Sequence, residues 1–400
     1  MPSGAHKKLT WRTTDMKNKK ITLVTISIMA LSILSVPGQA LAVEKATTKI
    51  SKPAISKYQR YIYRYQNGVM QRKNVDGKFV SADTRKESAF DPIRVAAYNS
   101  VMQTIAGKNS SNLNVKYVIR PNYPATLSAA IKLSFDKTVK QFGDYFPAGT
   151  PVTVIMVTEK DKDFIQKELP SIVDQNATGD VWQFASRYLT KSEWENSSAS
   201  GGGSASFFRG PEQSKGGFYL SHTASYATMD TYWPEVAPHE FTHILQGVFV
   251  KDLSFNSPEE YQKKLPQHYV EGSANTLGHI LAYPNLGWYS DDADLTIKRY
   301  SGGVKRWKPV NTPANMVDLL VATEKGTPDQ AFEASYSIGQ LFYEWLIGTY
   351  GFDKFITLIK NIGPTSSFDE NIKSTYGITK AQAYEKAAPY MLRAWKKATK

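Results

Sequence analysis

The stretch His239-Glu240-Phe241-Thr242-His243 places two imidazoles four residues apart, with a glutamate directly after the first. On a helix, residues four apart lie on one face, one turn above the other, so both rings can reach one metal ion. Neutral nitrogen donors hold a zinc ion, and the adjacent carboxylate can take a proton from a nearby water molecule. The stretch therefore predicts His239 and His243 as metal ligands and Glu240 as a general base.

The residues around this stretch predict a buried helix. Pro238 suits the first position of a helix, because its missing N–H would have no partner there. The apolar residues that follow at helical spacing are Phe241, Ile244, Leu245, Val248 and Phe249. We therefore expect a helix that packs one face into the protein and turns its histidine face elsewhere.

A third metal ligand is expected further along the chain, because a catalytic zinc has three protein ligands and one open position. Residues 268–275 continue in helical register and include Glu271, which is 271 − 243 = 28 residues after His243. Between them, Ser257-Pro258-Glu259-Glu260 has the capping residues of a short helix. This connection allows Glu271 to return to the histidine pair, although an ordinary exposed glutamate is the alternative.

The two histidines followed by E-G-x-A at 271–274 resemble the gluzincin clan of zinc metallopeptidases, which includes thermolysin and the zinc aminopeptidases. The resemblance implies one catalytic Zn²⁺ held by His239, His243 and Glu271. It also implies Glu240 as the general base. The implied fold is a zincin-like α+β fold, with an upper lobe of twisted β-sheet and helices, an active-site helix and a mostly helical C-terminal lower lobe.

A second resemblance lies at Tyr336-Ser337-Ile338-Gly339. In the zinc aminopeptidases, a Y-x-x-G that opens a helix supplies a tyrosine hydroxyl to the oxyanion of the tetrahedral intermediate, and Tyr336 matches that tyrosine. A donor aimed at developing negative charge is usually a large catalytic contribution. A purely structural tyrosine is the alternative, because the chain contains 23 tyrosines.

The chain also departs from these families. Asn275 stands where thermolysin-like enzymes have an aspartate that orients a ligand histidine, so its role is left open. The amine-gripping G-x-M-E-N segment of the aminopeptidases does not precede the histidines, which favours an endopeptidase. His268 and His222 are available as oxyanion donors without being assigned, and His268 and His279 are interpreted as structural.

Residues 1–42 have the pattern of an export signal with an upstream extension. A basic stretch at 16–20 precedes an apolar stretch at 21–34 and a small-x-small cleavage site at 40–42. A buried helix or an uncleaved anchor is the alternative. The chain has no cysteine, so zinc would have only nitrogen and oxygen ligands. These features predict a secreted bacterial protein with no membrane span after signal removal.

The net charge of +13 becomes 13 − 5 = +8 without residues 1–42, which contain six Lys or Arg and one Asp. A surplus of this size favours anionic cell-wall polymers or membrane surfaces as contacts. No nucleic-acid-binding motif accompanies it, so no nucleic acid partner is predicted.

After the export signal, the composition divides the chain into two parts. Residues 43–112 are polar and Lys-rich, with one helical stretch at 93–105. They form a segment of unknown role, either a pro-segment, an extra lobe or a wall-binding arm. Residues 113–400 match the expected metallopeptidase domain, with 113–250 as the upper lobe and zinc helix and 251–400 as the helical lower lobe.

Within the upper lobe, a strand, a helix and a strand are predicted at 115–120, 126–146 and 151–157. The Ser/Gly-rich stretch 197–206 predicts a flexible loop, followed by short strands at 206–210 and 217–221. We expect 217–221 to be the edge strand that pairs with extended substrate, an inner strand being the alternative. In the lower lobe, helices are predicted at 334–350, 352–362 and 378–397.

Together these features predict a secreted zinc-dependent peptidase, with an endopeptidase favoured, that acts on peptides or proteins. Two alternatives stay open. One is an exported surface-binding protein that kept a zincin fold with a structural or vestigial metal site, and the other is a cell-wall peptide amidase. The sequence does not identify the bond preference or the oligomeric state.

Overall fold

The structure, a computed structural model, describes residues 61–172, 202–255 and 257–400. The predicted export signal at 1–42, residues 43–60 and the first half of the predicted loop at 197–206 lie outside the described residues. The chain is a mixed α/β protein in which helices predominate and the sheets are small, which is compatible with the α+β class.

The described chain begins with a small antiparallel sheet and one long helix. Strands β1 (Tyr63–Gln66), β2 (Val69–Lys73) and β3 (Phe79–Val80) pair in that order, and helix α1 covers Pro92–Ile105. Asp91 caps α1 by accepting a hydrogen bond from the N–H of Ile93, and Pro92 takes the first helical position. The helix agrees with the one predicted at 93–105.

This N-terminal part shares its hydrophobic core with the C-terminal half. Arg94 is buried, and its guanidinium donates to Glu344 at 2.7 Å and to Asp294 at 2.6 Å. The hydroxyls of Tyr289 and Tyr390 also donate to Glu344. The buried glutamate is therefore fully surrounded by donors, as a charge in a core requires.

The main sheet has the order β4-β5-β7-β6. Its strands are β4 (Leu113–Ile119), β5 (Thr150–Val157), β6 (Gly202–Phe207) and β7 (Gly217–His222). The first two agree with the predicted strands, and they are joined by α2 (Ala125–Phe142). Short helices α3 (Lys162–Lys167) and α4 (Leu169–Ile172) follow β5. Strands β4, β5 and β7 are parallel, and β6 is antiparallel to β7.

The expected edge strand at 217–221 is an inner strand. Tyr219 in β7 pairs with Val154 of β5 on one side and with Ala205 of β6 on the other. Among the described strands, β6 pairs only with β7, so it is one edge of the sheet, and β4 is the other. The prediction was wrong because β6 begins inside the Ser/Gly-rich stretch, whose small residues lack the β-branched and aromatic side chains typical of strands. The strand predicted at 206–210 also ends early, at Phe207.

Helices make up the ordered elements of the rest of the described chain. They are α5 (Val236–Val248), α6 (Pro258–Lys264), a π-helical turn at His268–Gly272 that continues into α7 (Ser273–Ala282), α8 (Leu286–Trp307), α9 (Pro313–Ala322), α10 (Asp329–Ala334), a second π-helical turn at Ser335–Gly339, α11 (Gln340–Tyr350), α12 (Phe352–Lys360), α13 (Phe368–Tyr376) and α14 (Lys380–Ala398). Within the described ranges, no helix has the length and apolar character needed to cross a membrane.

Two helix predictions need correction. Helix α5 begins at Val236, so Pro238 lies in the first turn and not at the first position. Proline is tolerated there because N–H groups of the first turn have no intrahelical acceptor. The helix predicted at 334–350 is interrupted by the π-helical turn Ser335–Gly339, which hydrophobic periodicity does not reveal.

Candidate metal centre

Helix α5 and the first π-helical turn bring His239, His243 and Glu271 together. The Nε2 atoms of the two histidines lie 3.1 Å apart. Each of them lies 3.5 Å from Oε2 of Glu271. All three side chains are buried. The three residues predicted as metal ligands therefore converge on one point.

Gln246 fixes the orientation of His243. The Gln246 amide nitrogen donates to the backbone oxygen of Val270 at 3.1 Å and to the hydroxyl of Ser273 at 2.8 Å. Its oxygen is left to accept, at 3.0 Å, a hydrogen bond from Nδ1 of His243. The proton on Nδ1 leaves a lone pair on Nε2, which is the tautomer that binds a metal. Gln246 was not predicted from the sequence, although its spacing of three residues from His243 puts both on one helix face.

Asn275 orients the other ligand histidine. Its amide nitrogen donates to the backbone oxygen of Tyr336 at 3.0 Å. Its side chain also forms a hydrogen bond with the ring of His239, and this bond raises the pKa of His239, as expected when a ring N–H donates to the amide oxygen. The role that the sequence left open is therefore a positioning role that links His239 to the turn carrying Tyr336.

The donor set fits a divalent metal ion. Two imidazole lone pairs 3.1 Å apart repel each other unless a cation or proton lies between them. At 3.5 Å, Glu271 is beyond the usual length of a hydrogen bond to either ring, a gap that a shared ion would fill. Two imidazoles and one carboxylate suit zinc, and they leave one coordination position for a non-protein ligand.

Charges within the cluster are strongly coupled. Burial opposes ionisation of Glu271, but the nearby His243 and the contacts from both rings lower the pKa of Glu271 to about 2. Burial would lower the pKa of His243, but Glu271 raises it, with a net value of about 9. Burial also lowers the pKa of His239. Without a metal the histidine pair therefore retains one proton, which a bound cation would displace.

Glu240 lies beside the ligands, against the edge strand. A Cβ atom on Gly203 of β6 would lie only 2.8 Å from Cγ of Glu240 and 2.8 Å from the ring of Tyr219. Only glycine leaves room for the glutamate at this point. Burial raises the pKa of Glu240 to about 8, against a lowering by His243. Its Oε2 atom is buried and has no hydrogen-bond partner among the described residues. This oxygen is therefore free to accept a proton from a bound water molecule.

Tyr336 lies on the second π-helical turn, with its ring stacked on that of His239 at a centroid distance of 6.0 Å. The ring of Tyr300 also stacks on that of Tyr336, at a centroid distance of 5.4 Å. Burial, followed by the charge of Glu271, raises the pKa of Tyr336 well above its usual value. The hydroxyl therefore stays protonated at neutral pH and is able to donate a hydrogen bond at the metal centre.

The two π-helical turns touch through glycines. A Cβ atom on Gly272 would lie 2.5 Å from the Cα of Gly339, and one on Gly339 would lie 2.9 Å from the Cα of Gly272. This backbone contact places Glu271 and Tyr336 side by side. Single π-helical turns inside helices are frequent at functional sites.

The other two histidines considered as donors are not among the grouped metal-binding side chains of the described residues. His268 lies in the core, where its Nε2 is 2.7 Å from the hydroxyl of Tyr384 and its Nδ1 is 3.2 Å from that of Tyr343. His222 ends β7 and is buried. His268 therefore has a structural environment, in agreement with its interpretation from the sequence.

No protein-family model, curated protein or solved structure matches the chain. Three buried donors, a buried carboxylate and a buried phenol meet at one point, and this set can bind a cation, move a proton and donate a hydrogen bond.

Proposed function

We propose that the protein is a zinc-dependent peptidase of the gluzincin type, exported by the cell and acting inside polypeptide chains. The convergence of His239, His243 and Glu271, with Glu240 and Tyr336 beside them, is the observation that carries the proposal. The antiparallel edge strand β6 packs against α5, and the described chain after α5 is helical. This arrangement supports a zincin-like fold.

The ligand residues and the general base have separate roles. His239, His243 and Glu271 would hold the ion. When bound, Zn²⁺ supplies Lewis acidity that polarises a peptide carbonyl and makes water more acidic. Glu240 takes a proton from the attacking water and delivers it to the leaving amine. A nearby cation favours the ionised carboxylate, which offsets the burial that raises the pKa of Glu240 to about 8.

Tyr336 is the proposed hydrogen-bond donor to the reacting carbonyl. Its hydroxyl is protonated and held in place by the stacked rings of His239 and Tyr300. A fixed donor of this kind stabilises the oxyanion that forms when water attacks the carbonyl. The side-chain amide of Asn275 donates to the backbone oxygen of Tyr336 and so holds the turn that carries the tyrosine.

Substrate is expected along β6. Of the two edges of the described sheet, this strand is the one whose Gly203 lies directly against Glu240. An extended peptide can add to such an edge through main-chain hydrogen bonds. The ligand and base residues are all buried, so the site lies below the protein surface.

The test is cleavage of a peptide library, read by mass spectrometry, with the wild type, the wild type plus chelator, and the Glu240→Gln variant. We expect internal bonds to be cut by the wild type and chelator to abolish cutting. Glu240→Gln is expected to keep zinc and lose roughly 10²- to 10⁴-fold in rate. Glu385→Gln, an exposed glutamate on α14, serves as the matched control with unchanged rate.

Two results would contradict the proposal. Full activity of Glu240→Gln would remove the general base from the mechanism. A wild type that holds zinc and binds peptides tightly without cutting them would point instead to the surface-binding alternative.

A further inference from the structure

A second group of buried metal-binding side chains lies next to the candidate metal centre. Glu235, His279 and Asp292 each offer one ligand atom, and these atoms all lie within 4.8 Å of one another. Glu235 immediately precedes α5, and the other two lie on α7 and α8. Glu235 is one turn before His239, about 6 Å along the helix axis. The proposed peptidase mechanism uses none of the three.

His279 has the hydrogen bonding of a metal ligand. Its Nδ1 lies 2.7 Å from the backbone oxygen of Asn275. A carbonyl oxygen can only accept, so Nδ1 carries the proton and Nε2 carries the lone pair. That Nε2 atom is 3.5 Å from Oδ2 of Asp292 and 3.0 Å from the hydroxyl of Thr296. Histidines that bind metals commonly donate their other N–H to a backbone carbonyl in this way.

The two carboxylates of the group are buried close to each other. Asp292 is buried and forms a hydrogen bond with Tyr283, whereas its Oδ2 atom has no hydrogen-bond partner among the described residues. Glu235 is also buried and accepts from the hydroxyl of Tyr283 at 3.3 Å. Burial, followed by the charge of Asp292, raises the pKa of Glu235 to about 8. Burial raises the pKa of Asp292 to about 6. Two close carboxylates of this kind are stabilised by a cation between them.

Neighbouring cations do not balance these charges. Arg299 acts on both carboxylates, and its guanidinium lies 3.8 Å from the ring centre of Trp233. Arg72, the next cation that acts on Asp292, forms its own ion pair with Asp291 at 2.8 Å. One guanidinium balances only one ionised carboxylate, and burial keeps a proton on Glu235. A bound cation would take the place of that proton.

We propose that Glu235, His279 and Asp292 form a second site for a divalent transition-metal cation, with Zn²⁺ as the probe of choice. One imidazole and two carboxylates suit zinc or manganese, whereas calcium requires six to eight oxygen ligands. Since the three residues come from different segments, the ion would tie the start of α5 to α7 and α8. Its role is structural, because it holds the segments that carry His239 and Asn275.

The test is a count of tightly bound Zn²⁺ on the full chain, by competition with a chromophoric chelator after removal of all metal. We expect two equivalents for the wild type and one for His243→Ala, which disables only the first centre. We also expect one for Asp292→Asn and two for Asp353→Asn, an exposed control on α12. In His243→Ala, the remaining equivalent is expected to raise the temperature of unfolding.

Several results would overturn this second site. They are one equivalent on the wild type, none on His243→Ala, or two on a folded Asp292→Asn. If Asp292→Asn does not fold, the titration of His243→Ala decides by itself. Failure of the peptidase proposal is a different result, because a chain that cuts no peptide while holding two ions would keep the second site.

Discussion

The Gln246 side chain shows how much of the metal centre depends on residues that never touch the ion. Its amide donates to Val270 and Ser273, and its oxygen accepts from His243. The glutamine therefore links the helix of the two histidines to the turn of the third ligand. Such partners of ligand histidines typically contribute roughly 10- to 100-fold to metal affinity.

Gln246→Met keeps the size of the side chain and removes all of these hydrogen bonds. We expect zinc affinity to fall roughly 10- to 100-fold, because His243 loses the partner that fixes its tautomer. Competition with a chromophoric chelator measures the change. Gln262→Met, at a half-buried glutamine on α6 that donates to the backbone oxygen of Lys325, is expected to leave affinity unchanged. Equal affinities in the two variants would contradict the positioning role.

At the scale of elements, the contact between the two π-helical turns determines the site. Gly272 and Gly339 allow the backbones to meet, so the residue before Gly272 and the tyrosine of the second turn face each other. Neither π-helical turn was predicted from the sequence. Helical periodicity indicates that a helix is present, but it does not locate a single inserted residue that shifts the register within the helix.

Gly272→Ala places a methyl group 2.4–2.5 Å from backbone atoms of Gly339. Because backbone cannot move aside as a side chain does, we expect a loss of about 1–3 kcal/mol in the free energy of unfolding. Urea unfolding of the metal-free protein measures it. Gly302→Ala on α8 meets only the end of Arg306 at 3.5 Å and is expected to gain up to about 1 kcal/mol. Similar stabilities for the two variants would contradict the close contact.

Helix α1 and the C-terminal helices are joined by the buried pair of Arg94 and Glu344. Arg94→Met leaves the glutamate charge uncompensated, so we expect a loss of about 3–5 kcal/mol in unfolding free energy. Arg393→Met removes a pair with Asp91 whose arginine is 58% exposed, and the expected loss there is under about 1 kcal/mol. Denaturant unfolding compares the two. Equal losses would mean that α1 is not integral to the core.

For the whole molecule, buried neutral histidines make stability depend on pH. Burial lowers the pKa of His268 to about 3, against about 6.5 in an unfolded chain. Between those values the unfolded state binds a proton that the folded state does not. This contribution to stability is therefore complete above pH 6.5 and is lost as the pH falls toward 3, by about 1.4 kcal/mol per pH unit.

His268→Gln is expected to reduce the slope of unfolding free energy against pH by about 1.4 kcal/mol per pH unit between pH 6 and 4. Chemical denaturation in the presence of chelator measures the slope without interference from metal binding. Tyr384→Phe removes the hydroxyl 2.7 Å from His268 but keeps the imidazole, so it is expected to lower stability and keep the slope. An unchanged slope in His268→Gln would contradict the account.

The sequence predicted those parts of the site that depend on local spacing. His239, Glu240 and His243 follow from one helical turn, and Glu271 from the resemblance of its short motif. Local spacing does not predict contacts between elements that are distant in sequence. The Glu235 cluster forms only when three segments pack together, and the edge strand β6 is made of residues whose small size suggested a loop. Position 203 is glycine because a larger side chain would collide with Glu240. The composition of the stretch does not indicate this contact.

The proposed function depends on a metal centre with three protein ligands and one open position. Anomalous X-ray scattering at the zinc absorption edge, from crystals of the zinc-loaded full chain, locates the ion. We predict a peak among His239, His243 and Glu271, with ligand distances of about 2.0–2.2 Å and a fourth position that no side chain fills. The absence of a peak there would rule out this metal centre. A fourth protein ligand in the open position would rule out its catalytic role.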